Sequence, residues 1–564
     1  MTETRPEAAV PPPVEVADGP APSLLTTSDH KRLGLAFLGG ALLFLLVGGV
    51  VGMVMRAELV SEGLQVTGGN YRRLFGLHAT VSTLLVIAPA WIGLATHVVP
   101  LQIGAGRVAF PRLGSFALWT FLSGGVLVLV AYLVEPPAGF GLSSATPIPA
   151  VPGGADETTA LLIMGVALVA AATLLASLNL AVTILKLRTP GLTLARLPMF
   201  SWATLLTSLV MVLATPVFLA GLTLFYLDQR FGGALFADAA GGRAIWQHTL
   251  WLFGRPEIYL LLLPGLGAAC DIVSTHAGRP LLSPGAARRA LTLFAVLSLG
   301  AWAAGRGVAD ALVLPTYSVL TALVVVPVGL VVMVCLATLA KGHPRFHVSL
   351  LFVAGFVLLT GFGALHAVVA GIVGVDGGAW TTGHLHTVAF GPPLLLLVGA
   401  LYHWAPKLFG RQLSDSLGRV CFLALFGGFL LMGLGSYLLG YDGAPAGLSD
   451  FEFTGNGSTF SALAALGSAL VVVAVLVLGY EVLMSVAQLG RAQSAADPYD
   501  GLTLEWATLS PPSPQGFDAV PEVRSATPLL DLRLAEAEAD AETDTETGAA
   551  GTGTETGAAG ADRG

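Results

Sequence analysis

The sequence predicts an all-α polytopic membrane protein with about twelve transmembrane helices. Three observations carry this expectation. Hydrophobic residues make up 54% of the chain and charged residues 11%, and the mean hydropathy is +0.78, whereas a soluble domain is about 25% charged. About twelve apolar runs recur along the chain, most of them able to supply the roughly 20 residues that cross a bilayer. The 70 glycines suit helices that pack closely in lipid. The net charge of -8 comes largely from an acidic C-terminal tail, so it implies nothing about nucleic acid.

Taken in order, residues 1–32 are rich in Pro, Ala, Thr and Glu. They lack the cationic start and short apolar run of a signal peptide and read as a disordered cytoplasmic N-terminus. Residues 33–485 form the membrane domain. Its apolar runs lie near 34–55, 74–101, 112–134, 158–186, 199–227, 245–273, 290–312, 316–340, 348–372, 380–404, 418–440 and 459–484. Several exceed the bilayer thickness and imply tilt or extension beyond it. From 486 to 564 the chain turns polar and ends in Ala/Glu/Asp/Thr/Gly repeats, the composition of a solvated, acidic, low-complexity cytoplasmic tail. Cys270, Cys335 and Cys421 fall inside apolar runs without a Cys-x-x-Cys, so no disulfide framework, zinc site or thiolate copper site is expected.

Loop charge orients the spans. Even-numbered loops carry Arg107, Lys186, Arg188, Arg196, Arg279, Arg288, Arg289, Lys341, Arg345, Lys407, Arg411 and Arg419. Odd-numbered loops carry only Arg56, Arg72, Arg73, Arg230 and Arg243. Both termini are then cytoplasmic, and the second and tenth spans begin at the outer face of a plasma membrane. His78 sits near the start of the second span, and His384 and His386 near the start of the tenth. Histidine is rare at membrane depth because its polarity is costly there. At about 100° per residue, His384 and His386 point roughly 200° apart. One helix can therefore present an imidazole to each of two metal centres. The alternative use of such a pair is two interhelical hydrogen bonds.

An ordered set of motifs resembles subunit I of the heme-copper oxidases, the cytochrome c and quinol oxidase family, over most of residues 33–485. Arg56-Ala57-Glu58-Leu59 closes the first span, and Tyr71 precedes His78. Val99-Pro100-Leu101-Gln102-Ile103-Gly104-Ala105 is followed by Ala109-Phe110-Pro111-Arg112. His248-Thr249-Leu250-Trp251-Leu252-Phe253-Gly254 leads into Pro256-Glu257-Ile258-Tyr259 and Leu263-Pro264-Gly265, and His384-Leu385-His386 comes last. The resemblance implies two hemes. His78 and His386 would be axial ligands of a low-spin heme, with Arg56 and Tyr71 beside it. His384 would be the proximal ligand of a high-spin heme. It also implies companion oxidase-type membrane subunits and a cytochrome c or quinol as electron donor.

The chain departs from that family where the resemblance expects a copper ion held by three histidines. Arg255 stands directly before Pro256-Glu257-Ile258-Tyr259, and Ala304 and Gly305 follow Trp302. Ala and Gly offer no side-chain ligand, and a guanidinium is cationic and lacks an acceptor lone pair. Copper is not expected. Arg255 either replaces it as a distal cation or only fills its space, with Glu257, Asp310, a heme propionate or an anionic ligand on the high-spin iron as candidate counter-charges. His366 is the one spare histidine well inside a span, and an interhelical hydrogen bond is its expected use. Val331, Arg107 and Ala446-Gly447 stand where the family carries a proton-path lysine, a proton-entrance acid and propionate-binding arginines. The outer magnesium residues are not recognisable around Asp376. Glu257 resembles a proton-transfer carboxylate, and a neutral, hydrogen-bonded acid is its other reading. Tyr259 remains as a catalytic candidate only by resemblance, and a packed aromatic is its expected role.

These readings leave three functions open. The first is a diheme electron-transfer or gas-binding protein. The second is an active terminal oxidase, reducing oxygen to water and translocating protons, with an unusual site. The third is a non-catalytic assembly or regulatory paralogue.

Overall fold

The structure, a computed structural model, describes residues 27–60, 70–134, 157–231, 260–300, 322–375, 377–446, 455–489 and 492–551, with single positions 233, 235 and 319. Among the described residues the chain is helical and forms no named strand. α1 is His30–Glu58. α2 runs as Tyr71–Thr80, a π-helical Val81–Val86, and Ile87–Gln102. α3 is Pro111–Val134, α4 Glu157–Lys186 and α5 Met199–Phe231. α6 is Leu260–His276, α7 Pro284–Gly300, α8 Val325–Lys341 and α9 Val348–Val373. α10 runs as Gly378–His384, a π-helical Leu385–Phe390, and Gly391–Phe409. α11 is Asp415–Tyr441, α12 Gly457–Val486 and α13 Pro528–Gly551. Nine of these are long and apolar enough to cross a membrane, among the described residues, and α6 to α8 are shorter.

Local chemistry sets the helix ends. Asp29 accepts from the Lys31 N–H, and Ser414 accepts from the Leu417 N–H, each satisfying an orphan donor of a helix start. Gly410 ends α10 in the left-handed region at φ 71°, which costs a glycine little. Packing follows from small residues at crossings. A Cβ at Gly34 on α1 would lie 2.6 Å from the Gly93 carbonyl on α2, so those backbones touch. α2 and α10 are the most enclosed long helices, with 89% and 78% of their apolar windows buried. They form the centre of the bundle, and both carry the histidines singled out above.

The expectation of a solvated tail from residue 486 fails for its first part. Residues 492–527 form a strap across the bundle face where α1 begins and α10 ends. Leu502, Leu504, Glu505 and Trp506 are buried. Lys31 Nζ donates to the Pro514 carbonyl, and Lys407 Nζ donates to those of Ala496 and Thr508. Polar composition misled because a few apolar anchors and backbone carbonyls suffice to dock a segment onto a preformed surface. The acidic repeats beyond it continue as α13.

Candidate functional site

α1, α2 and α10 converge to form the site. The rings of His78 on α2 and His386 on α10 have centroids 6.2 Å apart and planes within 16°. His78 Nδ1 lies 2.8 Å from the Gly48 carbonyl, and His386 Nδ1 lies 2.7 Å from the Thr382 carbonyl. A carbonyl only accepts, so both Nδ1 atoms carry the proton and both Nε2 atoms keep the lone pair. This is the tautomer a metal requires, fixed by a partner on the other ring nitrogen. A metal–imidazole bond of about 2 Å places each ring centre roughly 3 Å from a shared ion, which predicts centroids about 6 Å apart. The observed separation fits one iron between the two rings.

Arg56, in the last turn of α1, makes the same point independently. Its Nη1 donates to the Gly52 carbonyl at 3.2 Å, and its Nη2 donates to His386 Nε2 at 3.3 Å. A guanidinium has no acceptor, so the Nε2 it meets must be unprotonated. Gly52 is required by contact, because a Cβ there would fall 2.7 Å from His78 Cε1 and 2.9 Å from His78 Nδ1. Phe390 and Phe429 flank the His386 ring at 6.4 and 6.5 Å, supplying apolar walls. Tyr71 is buried at the start of α2.

His384 leaves α10 on another side, toward α11. Its ring stacks on Trp380 at 5.0 Å and 11°. Its Nδ1 lies 3.5 Å from Tyr437 Oη, which is 2.6 Å from Thr387 Oγ1. Thr387 in turn donates to the Gly383 carbonyl at 2.9 Å. The division of the His-x-His pair between two environments is therefore present in the fold. His366 makes the expected interhelical hydrogen bond, to Tyr441 Oη at 3.1 Å, and stacks on Tyr437 at 4.1 Å. Val331 is buried on α8, and Arg107 is exposed. Arg255, Glu257, Tyr259, Trp302, Ala304, Gly305, Asp310 and Asp376 lie outside the described residues.

Two features went unseen in the sequence. Both π-helical segments among the described residues occur on the histidine-bearing helices, one just after His78 and one containing His386. Such single π turns favour functional sites because they re-aim side chains. The second feature is a group of rings beneath the strap. The ring of His347 stacks on that of His276 at 4.6 Å, and His276 Nε2 lies 3.3 Å from His403 Nδ1 under Tyr499 of the strap. Burial lowers the His347 pKa against the opposing charge of Asp415. The group does not amount to a metal site, since no set of three or more ligand side chains converges among the described residues. Local spacing gave no signal for it, because His276, His347 and His403 come from three separate segments.

Comparison with known proteins places the chain in a family. The family model of cytochrome c and quinol oxidase polypeptide I matches residues 32–476. A chain of Streptomyces avermitilis named as a cytochrome c oxidase subunit 1-beta is 36% identical over 519 residues, covering 90% of this chain and 91% of that one. Cytochrome c oxidase subunit 1 of Corynebacterium efficiens is 32% identical over 516 residues, covering 90% and 89%. A heme-copper terminal oxidase dimer solved by cryo-EM superposes with a TM-score of 0.67 at 15% identity, covering 82% of this chain and 85% of that one, which shows the shared fold. The chain belongs to the cytochrome c and quinol oxidase polypeptide I family.

Proposed function

We propose that this chain is a diheme membrane protein of oxidase descent, serving electron transfer or gas-ligand binding, whose copper site is lost at Arg255, Ala304 and Gly305. The paired tautomers of His78 and His386 carry the reading. Both Nε2 atoms are unprotonated, the one on His386 accepting from Arg56, and the ring centroids stand at about the separation that a shared iron would require. His384 would hold the second heme through one imidazole. A heme with two imidazoles has no open position and suits one-electron transfer, while a heme with one imidazole can take a gas. Around them the chain holds Nδ1 protons on Gly48, Thr382 and Tyr437, aims Arg56 at the low-spin site, and excludes water with Phe390 and Phe429. Companion oxidase subunits would deliver electrons from a cytochrome c or a quinol. Both termini would face the cytoplasm, as loop charge expects.

A second reading, an active terminal oxidase with an unusual second centre, draws on the names of the relatives, which are cytochrome c oxidase subunits. Metal analysis with a pyridine hemochrome spectrum on purified protein separates the two. Two hemes per chain with carbon monoxide binding and no copper support the first reading. Stoichiometric copper with oxygen uptake overturns it in favour of the second. Absence of heme refutes both and leaves an assembly or regulatory role.

A further inference from the structure

We propose that Asp271 and Glu505, bridged by the side-chain amide of Gln102, form a binding site for one proton that latches the C-terminal strap onto the membrane domain. The amide Nε2 of Gln102, at the end of α2, donates to Asp271 Oδ2 at 3.1 Å and to Glu505 Oε1 at 3.0 Å. Its Oε1 accepts from Ser201 Oγ at 2.6 Å, which fixes the amide orientation. All three bridged side chains are buried: Gln102 and Glu505 are 0% exposed and Asp271 7%. Two acceptors on the two hydrogens of one nitrogen sit about 5 Å apart, where like charges in a protein repel strongly. Buried carboxylates in that position do not both ionise.

The surroundings decide which one holds the proton. Asp271, on α6, also accepts from the N–H groups of Met199 and Phe200, at 3.0 and 3.1 Å, in the first turn of α5. Backbone donors at a helix start favour the anion. Arg288 on α7 adds a favourable charge. Trp404 Nε1 and Gln102 both serve Glu505 Oε1, and the Thr503 side chain and the Glu505 N–H also bear on the carboxyl, while Oε2 is buried without a hydrogen-bond partner. An orphaned anionic oxygen is expensive, and a proton there removes the charge. Burial accordingly pushes the Glu505 carboxyl above its ordinary value. Of the other charged or titratable groups nearby, Lys407 on α10 donates to strap carbonyls and also feels the charges of Glu505 and Asp497. His97 on α2 lies between the Lys31 and Lys407 carbonyls, His403 faces His276, and Asp497 of the strap accepts from the Gly501 N–H.

Because the docked strap binds a proton that the free strap releases, linkage has one sign. Docking is fully favoured below the free carboxylate value near 4.5 and is lost as pH rises through the raised native value. The test uses the full chain in detergent, with infrared difference spectra and hydrogen exchange of residues 501–510 across about pH 5 to 9. The expected result is a carboxylic-acid C=O band that disappears on raising the pH, together with exchange protection of the strap. Glu505→Gln should remove the band and make protection independent of pH. Asp271→Asn should move the band's midpoint down by roughly two pH units, since it removes a repulsion worth on the order of a hundred-fold in proton affinity. It should also keep the strap protected at high pH. A wild-type chain with no such band overturns the proposal. So does an Asp271→Asn midpoint equal to wild type, in protein whose α3 and α4 exchange is unchanged. That second criterion holds even where Glu505→Gln fails to fold.

Discussion

Gly52→Ala is the sharpest perturbation of the proposed low-spin site. The new Cβ would lie 2.7 Å from His78 Cε1 and 2.9 Å from its Nδ1. Carbon atoms prefer about 3.5–4.0 Å, so the imidazole must retreat by nearly 1 Å or α1 must move. Either motion strains the bond from His78 Nδ1 to the Gly48 carbonyl and turns Nε2 off the shared axis. Overpacking of this kind costs about 1–3 kcal/mol. If all of it opposes ligation, low-spin heme affinity falls roughly 5- to 150-fold. Gly49→Ala is the matched control, because its Cβ meets only Val472 Cγ2 at an ordinary 3.5 Å. The assay is heme content per chain with the optical and EPR signature of the bis-imidazole iron. Full low-spin content with unaltered EPR in Gly52→Ala would refute the reasoning, as would equal loss in both variants.

Other outcomes follow from the same geometry. Thr387→Val removes the 2.6 Å bond to Tyr437 Oη and leaves that buried hydroxyl short of a partner, costing about 1–3 kcal/mol. Thermal unfolding should show the loss, and a wild-type midpoint would contradict it. Trp506→Ala empties a site that is 1% exposed and removes about 3–5 kcal/mol of packing. Limited proteolysis should then cut within 492–527 while the heme spectrum stays unchanged, and a resistant strap would count against its anchoring by Trp506. Arg255→His should alter carbon monoxide affinity several-fold if the guanidinium faces the ligand, and an unchanged affinity in heme-loaded protein rejects the distal role.

The bundle was legible because lipid imposes it. Runs such as 34–55 and 459–484 coincide with His30–Glu58 and Gly457–Val486, since an apolar stretch in a bilayer must satisfy its own backbone as a helix. His78, His384 and His386 stood out for the converse reason, as polar groups where polarity is costly. Gly52 was invisible because a glycine shows its purpose only once the ring opposite is known. The Gln102, Asp271 and Glu505 cluster joins positions 169 and 403 residues apart in sequence, beyond any local pattern. The strap was misjudged because its buried anchors, among them Leu502, Leu504, Glu505 and Trp506, are diluted among prolines, serines and acids.

The two π turns place a constraint on length as well as on shape. Each holds one residue more than an α-helical turn needs, so the helix beyond it is rotated by about 100° relative to an uninterrupted helix. Deleting one residue within 81–86 or 385–390 would let the backbone relax into a regular helix. The buried stretches beyond, Ile87–Gln102 and Gly391–Phe409, would keep their packing, while the imidazoles before the lesion swung away from one another. Natural length variation should therefore gather in the loops of this chain and spare these two hexapeptides, where one missing codon would leave a folded bundle unable to hold the proposed low-spin heme.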